Sequence, residues 1–175
     1  PATGSAFWYG ALAVISVVTM TWGNLAALSS DNPKRVLAYS SVAHAGYMLA
    51  AVSAVGSGLA DGPASEMIVV AVLFHLCVLV LFKMGPFMVL SSIEREGGSH
   101  RVAGLNGLAS RDPLLAASMF VFMLSLAGVP PFSGFLSKLL MLNGIVTVSA
   151  GTGGAESLLS WATSVDPAFW LAVAI

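Results

Sequence analysis

Charge is scarce in this chain. Its 175 residues hold 7 Lys and Arg and 8 Asp and Glu, a charged fraction of 9%, against roughly 25% in an average soluble domain. Cysteine is limited to Cys77, two residues after His75 within an apolar run. A single thiol provides neither a disulfide framework nor a metal set. The formal net charge of −1 excludes the basic surface that nucleic acid requires. No glycine-rich phosphate loop follows a strand pattern. Nothing at the start reads as a signal peptide, because no basic stretch precedes the first apolar run.

What fills the chain is hydrocarbon: 57% of residues are hydrophobic, and the mean hydropathy is +0.90. Four charge-poor stretches, Ala6 to Leu28, Val36 to Ala60, Met67 to Ile93 and Pro113 to Val148, each meet the requirement of about 20 residues for crossing a bilayer. A fifth stretch begins at Pro167 and is still apolar at Ile175. A water-soluble bundle would need helices with a polar face, and these runs are apolar all round. The expected class is an all-α, polytopic membrane helix bundle forming one membrane domain over 1–175, with spans at about 6–28, 36–60, 67–93, 113–148 and 167–175. The chain opens at Pro1 and stops inside an apolar run, so it is expected to be a fragment of something longer.

Loop charges give an orientation, because cytoplasmic connections accumulate Lys and Arg. Loop one carries Lys34 and Arg35 with Asp31, and loop three carries Arg95, Arg101 and Arg111 with Glu94, Glu96 and Asp112. Loops two and four hold only the acids Asp61, Glu66, Glu156 and Asp166. Up-and-down threading then places loops one and three on the cytoplasmic, matrix or stromal side. The Gly, Ser and Thr residues from Ser149 to Asp166 read as a flexible external connection. Phe7, Trp8 and Tyr9, like Trp161, Phe169 and Trp170, suit an interfacial belt.

The fourth run is about 36 residues, or about 54 Å as one helix, against a hydrocarbon core of about 30 Å. The break is written near 128–134, in Gly128-Val129-Pro130-Pro131-Phe132-Ser133-Gly134. Two prolines remove donors, and the flanking glycines permit unusual backbone angles. Carbonyls freed at membrane depth need protein or water, so a discontinuous transmembrane helix of this kind lines a cavity or lies buried in a bundle. Lys138 follows one turn after Gly134 and can exchange a proton there. The plainer reading is that it snorkels, or caps the carbonyls of the first half-helix.

Lys83 lies deep in the third run, eight residues after His75 and offset by about 80° around the helix, so water or another side chain is needed between them. No carboxylate lies near Lys83 in its run, so its partner must come from elsewhere. Pro86 loosens the helix beside it by depriving the Phe82 carbonyl of its usual donor. His75 reads either as a buried histidine bonded to a carbonyl or as a proton relay. In the second run, Ser40, His44 and Tyr47 share one stripe, either for interhelical hydrogen bonding or for proton conduction. Gly23 and Gly46 would let neighbours approach closely, and the first run, with no ionisable group deep inside it, reads as scaffold.

Three segments together resemble the antiporter-like proton-translocating membrane subunits of respiratory complex I, the NADH-quinone oxidoreductases. The first is Gly23-Asn24-Leu25-Ala26-Ala27-Leu28 with Asn32-Pro33-Lys34-Arg35 leading into Ala38-Tyr39-Ser40-Ser41 and His44-Ala45-Gly46-Tyr47. The second is Ser125-Leu126-Ala127-Gly128-Val129-Pro130-Pro131-Phe132-Ser133-Gly134 through Lys138. The third is Leu105-Asn106-Gly107-Leu108 before Asp112-Pro113-Leu114. The likeness covers most of residues 22 to 145 and is strongest to the N-type subunit, called subunit 2 in mitochondria. His75 and Lys83 instead keep a spacing of the L and M types, with Leu79 between them where those types often carry another histidine.

The resemblance implies proton translocation coupled to electron transfer elsewhere in a complex. It makes Lys138 the terminal exchange site, Lys83 the central relay, His75 a bridge and His44 a further relay, while Lys34 matches a loop charge. It implies no cofactor in this chain, and flavin, iron–sulfur clusters and quinone in partner subunits. Its partners would be other membrane subunits and the lipid bilayer, in a bacterial or archaeal cell membrane or an organelle inner or thylakoid membrane. A cation/proton antiporter or membrane-bound hydrogenase subunit, and a purely structural subunit, are the competing classes.

Overall fold

A computed structural model describes residues 2–56, 63–98 and 100–150, all of whose regular elements are helical. The expected fifth span, the Ser149 to Asp166 connection beyond residue 150, Asp61, and the aromatic set at Trp161, Phe169 and Trp170 lie outside the described residues. Three long helices, α1 (Ala2–Leu28), α2 (Pro33–Gly56) and α3 (Pro63–Arg95), are followed by a 3-10 turn at Val102–Leu105, a short α4 (Leu108–Arg111), α5 (Pro113–Ala127) and α6 (Ser133–Ala150). Stretches Phe7–Leu28, Pro33–Val55 and Ser65–Arg95 are long and apolar enough to cross a membrane, while Pro113–Ala127 and Ser133–Val146 are shorter apolar helices.

The helix starts are set by local chemistry. Asn32 Oδ1 accepts from Lys34 N at 2.9 Å, and Asp112 Oδ1 accepts from Leu114 N and Leu115 N at 3.1 Å. Each cap is followed by proline, which fits the first helical position because its missing N–H would be unpaired there anyway.

Helices α1 and α2 form an antiparallel hairpin whose closeness depends on two glycines. A Cβ at Gly23 would lie 2.7 Å from Ala43 N, and one at Gly46 would lie 2.9 Å from Met20 N. Helix α3 covers the other side of α2. Its N-terminal half packs on α6 through Ile68 and Met141, beside Ala51 of α2. Its C-terminal half packs near α4 and α5 through Val89, Ile93, Leu108 and Leu115, with the Phe82 and Phe122 rings 6.1 Å apart. The succession of α5 and α6 therefore runs antiparallel to α3.

The distribution of polarity is that of a membrane protein, inverted from a soluble one. Trp8, Ile15, Val18, Trp22 and Leu25 are exposed on α1, while His44, His75, Lys83, Ser125 and Ser137 are buried. At one end, loops one and three meet. Glu94 accepts from Lys34 and lies 2.9 Å from His100 Nδ1, and Val102 N donates to Asp31 O at 2.9 Å. Helix α3 continues through Pro86 to Arg95, so the expected loosening beside Lys83 leaves the helical run unbroken.

Candidate functional site

Lys83 projects from α3 toward α2 and is 7% exposed. Its Nζ donates to Leu37 O at 2.9 Å and to Ser41 Oγ, which itself donates to Leu37 O at 3.2 Å. The partner is a carbonyl and a hydroxyl of the neighbouring helix, not a carboxylate. Lys83 makes no direct bond to His75, as their offset around α3 requires. A cleft of about 630 Å³ runs along α3 from Ser41 and Lys83 to Ser91, Ser92 and Arg95.

One helix turn further along α2 the second group begins. His44 Nδ1 lies 3.0 Å from His75 Nε2, with ring centroids 5.1 Å apart. His75 Nδ1 lies 2.9 Å from Ser137 Oγ of α6, and that hydroxyl donates to Gly134 O at 3.0 Å. Three helices thus contribute to one buried chain of hydrogen bonds, α2 with His44, α3 with His75 and α6 with Ser137. His44 also stands edge-on to Tyr47, with ring centroids 5.6 Å apart.

The third group is at the meeting of α5 and α6. Helix α5 stops at Gly128, whose φ of 84° lets Gly128 N donate to Leu124 O and Ser125 O at 3.1 Å. Such a left-handed position is the usual glycine stop for a helix. Gly134 has no such angle: its role is closeness, because a Cβ there would collide with the Ser125 carbonyl oxygen. Only one of the two glycines expected to supply unusual angles therefore does so. Pro130 and Pro131 sit between Ala127 and Ser133, where α5 has ended and α6 has not begun. Lys138 Nζ donates to Leu126 O and Ala127 O, each at 2.9 Å. The capping role weighed above is the geometry observed, and it holds the ammonium on the last turn of α5. Ser125 is fully buried beside this turn, and its Oγ has no partner among the described residues.

The second and third groups open on one cleft of about 250 Å³, lined by Asn24, Ser40, His44, Tyr47 and Lys138 among others. With these polar groups on its wall, a space of this size can hold water. The stripe of Ser40, His44 and Tyr47 therefore faces a cleft whose polar groups are set among Val36, Leu37, Met123 and Leu126. A more apolar cleft of about 330 Å³ lies on the other side of Lys138, lined by Met20, Tyr47, Ala50 and Met141.

Sequence reading singled out the two lysines and two histidines but gave no site role to Ser137 or Ser41, which the structure bonds to them. Ser137 carried a visible signal: it is adjacent to Lys138 and three residues after Gly134, the spacing at which a serine bonds back to its own helix. Ser41 lies next to the stripe, on an adjacent face of α2, and which face meets Lys83 depends on how α2 and α3 pack. Among the described residues, no three His, Cys, Asp or Glu side chains are grouped to hold a metal ion.

An all-α membrane chain with Lys83, His44 and His75 buried and Lys138 half-buried, beside clefts between its helices, is the class that fold and site define. The chain belongs to the family described as NADH:quinone oxidoreductase/Mrp antiporter, TM, whose profile matches residues 2–161. It is 42% identical over 146 residues to NADH-quinone oxidoreductase subunit N of Heliobacterium modesticaldum, covering 83% of this chain and 29% of that relative. It is 40% identical over 167 residues to subunit N of Chloroflexus aggregans, covering 94% of this chain and 32% of the relative. With subunit N 2 of Sorangium cellulosum the identity is 36% over 167 residues, 94% of this chain and 31% of the relative. The chain thus spans under a third of the length of these relatives.

Proposed function

We propose that this chain is the part of a subunit N that carries protons through the membrane middle, in a complex whose electron transfer takes place in other subunits. The observation that carries this reading is the shared cleft: Lys138 and His44 line one space, and His44 leads directly to His75. Lys138 exchanges protons with that space, the imidazole pair accepts them, and Lys83 forms the neighbouring station on α2 through Ser41. Helices α5 and α6 act as the two halves of one discontinuous crossing, each too short at 15 and 18 residues to pass easily through about 30 Å alone.

The proposed donor side lies in partner subunits that hold flavin, iron–sulfur clusters and a quinone site, so the chain takes part in an enzyme without reacting with the redox substrates. The proposed setting is a bacterial cell membrane, with loops one and three on the cytoplasmic side. A cation/proton antiporter is the second reading, favoured by the Mrp antiporters that the family description includes.

The test is donor-driven proton pumping in membrane vesicles carrying Lys138→Ala in the full-length subunit, with assembly and electron transfer measured alongside. Pumping should fall while the complex stays assembled. Lys138→Arg should also impair pumping, because a guanidinium keeps its charge and does not release a proton. Unchanged pumping in Lys138→Ala refutes the relay. Proton movement driven by a cation gradient without an electron donor would establish the antiporter instead.

A further inference from the structure

Ser137 has one hydroxyl proton and two neighbours within hydrogen-bond distance, Gly134 O at 3.0 Å and His75 Nδ1 at 2.9 Å. Ser137 Oγ donates to Gly134 O, a carbonyl that can only accept. With the hydroxyl proton placed on Gly134 O, the 2.9 Å contact between Ser137 Oγ and His75 Nδ1 takes its proton from the imidazole, and Nδ1–H of His75 is the donor. In neutral His75 this leaves Nε2 bare, and Nε2 is the atom 3.0 Å from His44 Nδ1. His44 must then donate through Nδ1–H, and its own Nε2 is left as a bare acceptor. The three links then have one polarity, from His44 through His75 and Ser137 to the Gly134 carbonyl.

We infer that Ser137 is a positioning residue that fixes the tautomers of His75 and His44 and so makes the imidazole pair a proton acceptor toward the Lys138 cleft. The inference rests on the relay reading above for its function, and on the hydrogen-bond directions alone for its chemistry. With Nδ1 of His44 committed to His75, Nε2 is the nitrogen left for the cleft that His44 lines. A proton taken up at that Nε2 allows the Nδ1 proton of His44 to pass to His75 Nε2. The next transfer, from His75 Nδ1 to Ser137 Oγ, would require the serine to release its own proton, and Gly134 O cannot bind it. The added proton stays on the imidazole pair and returns by the same side. The pair is a store with one mouth, and Ser137 closes its far end.

Removing the hydroxyl has a definite consequence. In Ser137→Ala, an Nδ1–H on buried His75 would have no acceptor, so the proton moves to Nε2 and donates to His44 Nδ1. His44 then carries its proton on Nε2 and becomes a donor toward the cleft. The hydrogen-bond direction of the pair is reversed without loss of either histidine.

The experiment uses the full-length subunit in its assembled complex, labelled with ¹⁵N-histidine and studied in membranes by solid-state NMR, with the His75 signals identified by difference against His75→Gln. The groups that face the pair are Tyr47 on α2, Lys83 on α3 and Lys138 on α6, while α5 contributes no ionisable residue, so spectra are compared at one fixed pH. The unsubstituted protein should show His75 protonated at Nδ1. Ser137→Ala should move the population toward Nε2–H by about tenfold and slow donor-driven pumping severalfold, and Ser137→Thr, which keeps a hydroxyl, should restore both. A parent His75 protonated at Nε2, or a His75 tautomer indifferent to Ser137→Ala, overturns the inference. Lys138→Ala separates the two claims: intact pumping there refutes the relay reading, while the tautomer result decides the role of Ser137 either way.

Discussion

Gly128→Ala tests whether the end of α5 is shaped to receive Lys138. Gly128 has φ 84° and ψ 41°, and an L-residue in that region costs roughly 1–2 kcal/mol. The new methyl would also lie 3.1 Å from Lys138 Nζ and 3.2 Å from its Cδ. The ammonium must shift, which loosens its bonds to Leu126 O and Ala127 O. A hydrogen bond to a charged group contributes about 1.5–3 kcal/mol when well buried. Lys138 is only partly buried and can turn to water, so about 1 kcal/mol is the reasonable loss after screening. The total is then about 2–3 kcal/mol. In a Lys138→Ala background only the backbone cost of about 1–2 kcal/mol remains. A double-mutant cycle on the full-length subunit, unfolded in mixed detergent micelles, reads the difference as a coupling of about 1 kcal/mol between the two positions. Additive costs, with coupling below about 0.3 kcal/mol, would show that Gly128 does not position the lysine, and the account of this turn would fail.

Lys83→Met should leave stability within about 1 kcal/mol of the parent or raise it, because Leu37 O keeps its bond from Ser41 and a thioether fills the lysine's volume. Pumping should fall in the same variant, whereas a loss of stability above about 3 kcal/mol would mark Lys83 as a structural tie. Gly46→Val should separate α1 from α2 and cost about 3 kcal/mol, since its Cβ would lie 2.9 Å from Met20 N and 3.0 Å from Ser16 O, backbone atoms that cannot yield. Gly10→Val is the control on the same hairpin, with nothing within 4 Å of the added Cβ, and wild-type assembly is expected for it.

The membrane class and the long helices were legible in the sequence because hydrocarbon-length apolar runs need no tertiary information. So was the break at Gly128, which depends on neighbours only a few residues away; the caps at Asn32 and Asp112 went unread, though each stands directly before a proline. Gly134 was found for the wrong reason: its position in the break was visible, but the Ser125 carbonyl that forbids a side chain comes from another helix. Lys83 was recognised as needing a partner, yet the partner is Leu37 O, a backbone atom with no signature in sequence. The same limit explains Ser137. Its hydroxyl matters because α3 brings His75 within 2.9 Å of it, across 62 positions of chain.

The two lysines share a feature that bears on the proposed relay. Helices α1, α2, α5 and α6 contain no Asp or Glu, and α3 carries its two glutamates, Glu66 and Glu94, near its ends. Both Lys83 and Lys138 are instead held by carbonyl oxygens, with a hydroxyl added at Lys83. A carboxylate partner would stabilise the ammonium strongly and resist its loss, because deprotonation would leave a buried, unpaired negative charge. Carbonyl dipoles favour the charged form more weakly and leave no such charge behind when the proton departs. The imidazole pair is built on the same principle, ending on a serine and a carbonyl rather than on an acid. A proton added to that pair repels the ammonium of Lys138, with which His44 shares a cleft, so occupancy of one site favours release from the other. Sites that hold protons with dipoles and empty one another by repulsion are suited to transfer, and a carboxylate placed beside either lysine would turn a station into a trap.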